Sequence, residues 1–161
     1  IMKFVYSEKI DNAEILKNSL KEITRYYDYI LIDTPPVYRH FIINGMVAAD
    51  KIVLVLDPGI FALEGLPTIK HSFGGLFNEM GMNLDIDMVL ITRCKKYFLP
   101  WKKARSEEIK DAIERLFSKS VFMVPYSEQI YDTHALGLPI SHYKPSSDIG
   151  RVYKKVAKEL E

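Results

Sequence analysis

Four short apolar runs, Tyr29–Ile32, Ile52–Leu56, Met88–Ile91 and Val121–Val124, limit what this chain can fold into more than any other feature. They are too short for helices and show little polar alternation, as expected of strands covered on both faces. Lys3–Tyr6 is a weaker fifth run. Between them, apolar residues recur at helical spacing. One face is Ile15, Leu16, Leu20 and Ile23, with Asp11 or Asn12 as its cap; a second is Leu63, Leu66, Lys70, Phe73 and Phe77. A third is Ile109, Ala112, Ile113, Leu116 and Phe117, and a fourth is Ile149, Val152, Tyr153, Val156 and Leu160. Phe41–Ala49 reads as a shorter helix, and Pro145–Asp148 as a turn and cap before the last one. Strands joined by connections longer than a dozen residues pair in parallel through right-handed crossovers. The expected fold is therefore α/β: a doubly wound, mainly parallel sheet with helices on both faces, in one domain spanning residues 1–161.

Open parallel sheets bind ligands beyond the carboxyl ends of their strands. The residues that follow the runs are Asp33-Thr34-Pro35-Pro36, Asp57-Pro58-Gly59, Thr92-Arg93 and Pro125-Tyr126-Ser127-Glu128. Any strand must end in turn chemistry. Asp33 stands out because the acid follows its run with no turn residue between. A carboxylate on a rigid strand end suits the octahedral demands of Mg²⁺, often through a coordinated water. The prolines keep the next segment extended and leave few backbone donors.

Composition excludes more than it selects. With 22 basic and 21 acidic residues the formal charge is +1, which argues against wholesale coating of nucleic acid but not against a local basic patch. Cys94 is the single cysteine, so no internal disulfide or Cys-only zinc site can form. No run approaches the roughly 20 apolar residues of a membrane span, and no signal-peptide pattern is seen. A cytoplasmic location is expected.

"YDYILIDTPP", "NGMVAADKIVLVLDP", "FALEGLPTIK", "VLITR" and "VFMVPYSEQIYDTHALGLPISHYKPSSDIGRVYKKVAKEL" follow one another along the chain. Together they resemble the later part of the ParA/MinD superfamily of deviant Walker-type ATPases, from about Met2 to Leu160. The "FALEG" segment and the tail are closer to the ParA/Soj chromosome- and plasmid-partitioning branch. The resemblance implies a P-loop NTPase-like fold, ATP and Mg²⁺ as ligands, and a homodimer formed around ATP. It further implies non-specific DNA binding and a ParB-like activating protein. On it, Asp33 matches the Walker B acid that positions Mg²⁺, and Thr34, Pro35 and Pro36 match the γ-phosphate switch. Thr92 and Arg93 fall where relatives place an Asn or similar residue beside adenine, although Thr92 is not that Asn. Pro125 and Tyr126 fall on the loop flanking the base, and Asp57 and Pro58 at the dimer-facing edge of the nucleotide site.

A phosphate cradle also needs G-x-x-x-x-G-K-[ST]. None of the eight glycines precedes a lysine, so the chain holds no Walker A motif. Ile1 stands before Met2, and truncation of a longer ATPase is the simplest expectation; a relative that never binds ATP is the alternative. The chain by itself is expected to hydrolyse ATP poorly or not at all, because the missing lysine and backbone donors stabilise most of the phosphate charge.

Other constellations carry less. Ser127, Asp132 and His134 have the residue types of a hydrolase triad but no G-x-S-x-G elbow. His40, His71, His134 and His142 lack metal-binding spacing, and Cys94 reads as a small core-edge residue. "RCKKYFLPWKKAR" mixes Lys95, Lys96, Lys102, Lys103 and Arg105 with aromatics. It suits either phosphate contact or a solvated loop with inward-packing rings. Arg151, Lys155 and Lys158 form a second basic stripe. No MinD-type amphipathic membrane tail is seen. Three functions stay open: a ParA-like ATPase or its fragment, a P-loop-less partner-binding module, and a MinD-like positioning ATPase.

Overall fold

The computed structural model describes residues 12–35, 39–58, 85–95, 105–117 and 119–161, with isolated positions between 67 and 81. The chain divides into two compact units, residues 1–50 and 51–161.

In the first unit, helix α1 spans Ile15–Leu20, a single 3₁₀ turn covers Thr24–Tyr26, and α2 spans Arg39–Ala48. The α1 face was expected to run through Ile23, but the helix stops at Leu20 and both Ile15 and Ile23 are exposed. Asn12 lies in the left-handed region, at φ 74°, and Glu14 rather than Asn12 occupies the cap position. Asp11 lies outside the described residues. Ile43 and Val47, one helical turn apart on α2, are fully buried. Asn44 Oδ1 accepts a hydrogen bond from the Leu16 N–H at 3.2 Å, tying the two helices together.

Tyr29–Ile32 departs from expectation. The run has no regular secondary structure and joins no ladder among the described residues, and Leu31 is 90% exposed. Apolarity makes a segment able to form a strand; a strand exists only where a neighbour satisfies its N–H and C=O groups. Lys3–Tyr6 lies outside the described residues, as do Leu63, Leu66, Phe73 and Phe77 of the expected second helical face, while Pro67, Thr68, Lys70, His71, Gly74 and Gly75 between them are helical.

The second unit carries the sheet: β1 (Val53–Leu56), β2 (Met88–Cys94) and β3 (Ser120–Pro125), in the order β1-β2-β3. All pairing is parallel, with Val53 opposite Met88 and Met88 opposite Ser120. Met88, Val89 and Ile91 on the central strand are wholly buried, as strands covered on both faces require. Helix α3 (Arg105–Phe117) buries Ile109, Ile113 and Phe117 at four-residue spacing. Glu107 and Glu108 in its first turn and Arg115 in its last complement the helix dipole. After β3 come α4 (Gln129–Leu136), α5 (Ile140–Tyr143) and α6 (Asp148–Leu160). Val124, Ile140 and Ile149 form a buried cluster joined by Ile130, Tyr143 and Val152. That cluster fixes the starts of α4 and α6 beside the end of β3.

Acids near β2 show why position along a strand matters. Asp85 and Asp87 lie at the amino end of the sheet, where they close backbone and side-chain gaps. Asp87 Oδ2 accepts from the Ile52 N–H at 2.7 Å, and Asp85 pairs with Lys119 at 3.1 Å. Burial pushes the Asp85 carboxyl up. The Lys119 hydrogen bond, the Ile86 N–H and the charges of Lys119 and Lys70 outweigh it and hold the group below the usual carboxylate range. A carboxyl depressed in the folded state stabilises it above that range and loses this contribution as pH falls through its own pKa. The pair is solvent-screened, so the effect is below about 1 kcal/mol. Lys119→Ala is expected to flatten part of the acid limb of a urea-midpoint profile between about pH 6 and pH 3, with no change at neutral pH beyond the same small amount.

Candidate functional site

The carboxyl end of the sheet is built by an irregularity in β2. Ile91 pairs with Met123 and Cys94 with Pro125, so Thr92 and Arg93 together stand opposite the single residue Val124. This is a β-bulge, and such bulges re-aim side chains at the rims of sites. Arg93 takes up the extra residue at φ 55°, a left-handed conformation that costs a non-glycine residue about 1–2 kcal/mol. The bulge is fixed from both sides. The Thr92 hydroxyl donates to the Leu56 carbonyl at 3.1 Å, and the Tyr126 N–H donates to the Cys94 carbonyl at 2.9 Å. Arg93 Nε then meets Asp57 Oδ2 at 3.0 Å, both side chains being well exposed. An exposed pair of this kind contributes at most about 1 kcal/mol, so the backbone and the Thr92 hydroxyl hold the bulge, and the ion pair orients the guanidinium.

Beside the bulge lies a cleft of about 440 Å³. Its walls include Lys95 after β2, Pro125 and Tyr126 at the end of β3, Gln129 at the start of α4, and Ser147 at the cap of α6. Both helices begin at this edge, so the positive ends of their dipoles face it, with the Gln129 and Gly150 N–H groups capped by Ser127 Oγ and Ser147 Oγ. Tyr126 is 47% exposed and lines the opening. Of the expected site residues in this unit, Asp57 and Arg93 are brought together, and Thr92 is committed as a donor to Leu56. Pro125 and Tyr126 line the cleft together, and Pro58 follows Asp57 half-buried. Lys95, Gln129 and Ser147 join them. Lys95 was foreseen as a basic surface residue; Gln129 and Ser147 have no motif, and only their place just before or at a helix start marks them.

In the first unit, Asp33 is exposed within the irregular residues 27–35 and Thr34 is half-buried. Gly45 of α2 lies under this stretch. A Cβ at that position would stand 2.7 Å from Thr34 Cγ2 and 3.4 Å from Ile32 Cγ2, so only glycine lets the helix approach so closely. Pro35 is exposed, and Pro36 lies outside the described residues. Among the described residues no three His, Cys, Asp or Glu side chains cluster as a metal cage. A single exposed carboxylate suits Mg²⁺, which keeps several waters and takes its remaining oxygens from phosphates.

The basic candidates separate. Lys96, Lys102 and Lys103 lie outside the described residues, and Arg105 opens α3. Arg151 is engaged, donating to the Ser146 carbonyl at 2.7 Å and pairing with Asp148. Lys155 and Lys158 are exposed along α6. The triad types do not converge: Ser127 Oγ accepts from the Gln129 N–H, while Asp132 and His134 are exposed. No described helix is long and apolar enough to cross a membrane.

The sequence profile of the family described as AAA domain matches residues 2–87, just over half of the chain. The chain belongs to this family. Its relatives place it in the ParA/MinD superfamily. It is 28% identical over 152 residues to the chromosome-partitioning ATPase Soj of Treponema pallidum, covering 93% of this chain and 58% of that protein. It is also 28% identical over 147 residues to the sporulation initiation inhibitor Soj of Bacillus subtilis, covering 90% and 56%. Apo McdA of Cyanothece superposes with a TM-score of 0.78 at 22% identity, over 92% of this chain and 59% of that one. MinD, the cell division ATPase of Pyrococcus furiosus, superposes at 0.66 and 21% identity, over 92% and 58%. The fold is thus α/β with a parallel sheet of the P-loop NTPase-like kind. The AAA-domain family member described here spans a little more than half the length of these relatives.

Proposed function

We propose that this chain is the carboxyl-terminal portion of the nucleotide-binding domain of a ParA-like partitioning ATPase, forming one domain in the whole protein. The observation that carries the reading is the cleft at the carboxyl edge of β2 and β3, on a chain that aligns over 93% of its length with a chromosome-partitioning ATPase. Pro125 and Tyr126 would flank a purine base there, with Thr92 and Arg93 at its side. Asp33 would hold Mg²⁺ through water, and Thr34, Pro35 and Pro36 would respond to the γ-phosphate. ATP supplies the transferable phosphoryl group, and Mg²⁺ neutralises its charge. Asp57 and Pro58 would face the second subunit of an ATP-dependent dimer. Lys95, Lys96, Lys102, Lys103, Arg105, Lys155 and Lys158 would meet DNA phosphates, and Arg151, held by Asp148, would contribute less. A ParB-like protein would stimulate turnover, and the assembly would work in the cytoplasm.

The reading frame ahead of residue 1 is expected to encode a K-G-G-x-G-K-[ST] loop. A frame without one, in a protein that binds no Mg·ATP, would make the chain a P-loop-less partner-binding module instead. Duplex DNA binding is expected to weaken steeply with salt. Lys155→Ala with Lys158→Ala should lower the slope of log affinity against log salt by about 2, and an unchanged slope would take α6 out of the DNA surface.

A further inference from the structure

One residue that lines the cleft carries a buried polar atom with no hydrogen-bond partner among the described residues. Gln129 is the first residue of α4, and its backbone N–H donates to Ser127 Oγ at 3.3 Å. Its side-chain Oε1 is buried and accepts no hydrogen bond among the described residues. Leaving a carbonyl acceptor in that state costs about 1–3 kcal/mol, so native structures rarely keep one without a reason. The residue lines the cleft from the first turn of α4. The torsion that turns its terminal amide is broad and soft, so Oε1 can swing toward an occupant without disturbing the helix. Around it the cleft offers Pro125, Ile149 and the ring of Tyr126, flat or apolar surfaces that suit the faces of a heterocycle. An occupant matching this wall is planar and carries an N–H donor on one edge.

We propose that Gln129 is the specificity-determining residue of the cleft, its Oε1 accepting the exocyclic amine of a 6-aminopurine. The inference rests on the base-site reading above and adds the residue that selects the base. A 6-oxopurine brings a carbonyl oxygen where the amine would be. Two acceptors then face each other with no proton between them, and the buried Oε1 stays unpaired. An amide turned the other way would favour the oxo base, so an acceptor-only side chain at this position separates the two senses.

Adenosine and inosine differ at this group and need no phosphate loop, so they probe the intact chain directly. Titration followed by amide chemical shifts of Tyr126, Ser127 and Gln129 is expected to show adenosine binding about tenfold more tightly. Gln129→Glu, which can only accept when ionised and suits a helix start, is expected to keep that preference. Gln129→Met, of similar length without the acceptor, is expected to bring the ratio near one while melting at the same or a higher temperature. Equal binding of the two nucleosides, a preference that survives Gln129→Met, or one that reverses in Gln129→Glu would overturn the assignment and leave the base site standing. If neither nucleoside shifts these resonances, the base site itself fails and the assignment fails with it.

Discussion

Asp33→Ala, placed in a protein that also supplies the phosphate loop, is expected to lower Mg·ATP hydrolysis by about 100-fold or more, equivalent to about 2.7 kcal/mol of barrier. The same substitution should leave the melting temperature almost unchanged. Asp33 is exposed and sits in an irregular stretch that joins no ladder among the described residues. Exposed changes of this kind usually move stability by no more than about 0.5 kcal/mol. Loss of turnover without loss of fold would therefore report a charge needed by the reaction. Asp33→Asn tests the charge further, since it keeps the shape and removes the carboxylate; it should fail nearly as badly and bind Mg²⁺-nucleotide more weakly. The stretch is held from below by the close approach of Gly45 to Thr34, so the carboxylate has a defined backbone under it even though its side chain is solvated. Hydrolysis at the native rate in Asp33→Ala would remove this residue from the metal site.

How much of this was legible beforehand depended on whether a feature is local. The apolar runs Met88–Ile91 and Val121–Val124 became β2 and β3 with one or a few residues added at the ends; β2 is buried on both faces, whereas β3 buries only Val124 fully and leaves its other residues half-buried or exposed. Ile109, Ile113 and Phe117 were readable from helical spacing alone, and so was the cap before the last helix, which Ser147 supplies. Tyr29–Ile32 has the same apolar character and forms no ladder among the described residues, since pairing belongs to a neighbour distant in sequence. The bulge was illegible for a different reason. A left-handed residue usually announces itself as glycine or asparagine, whereas here it is Arg93, set between Thr92, whose hydroxyl donates to Leu56 of β1, and Cys94, whose carbonyl accepts from the Tyr126 N–H just after β3. Asp57 and Arg93 were both picked as site residues, yet nothing in the sequence said they meet. Gln129 was missed because a glutamine at a helix start reads as surface until its acceptor is found buried.

Gly150→Ala is expected to destabilise the chain by about 2 kcal/mol, although alanine is by about 1 kcal/mol the better helix former. Gly150 lies in the first turn of α6, where its N–H donates to the cap Ser147 Oγ at 3.1 Å. A Cβ there would stand 2.6 Å from the Lys144 carbonyl oxygen, 3.1 Å from Ser147 Oγ and 3.2 Å from the Pro145 carbonyl oxygen. These neighbours cannot rotate away as a long side chain would. The carbonyls belong to the turn backbone, and Ser147 Oγ is itself fixed by donating to the Lys144 carbonyl at 2.6 Å. Relief requires the turn to move, which releases a cap worth about 1 kcal/mol and shifts Ile149 out of the cluster with Val124 and Ile140. Gly137→Ala is the useful comparison. Gly137 closes α4 at φ 64° with open space where a Cβ would go, so it should cost only about 1 kcal/mol of backbone strain. Urea unfolding should thus rank Gly150→Ala below Gly137→Ala, and Ser147→Ala, which loses the cap alone, near the latter. Because Ser147 and Ile149 also line the cleft, Gly150→Ala should weaken adenosine binding as well, whereas Gly137→Ala, at the far end of α4, should not. A Gly150→Ala chain with native stability and native adenosine affinity would mean that the turn from Lys144 to Ser147 yields freely and does not set that wall of the site.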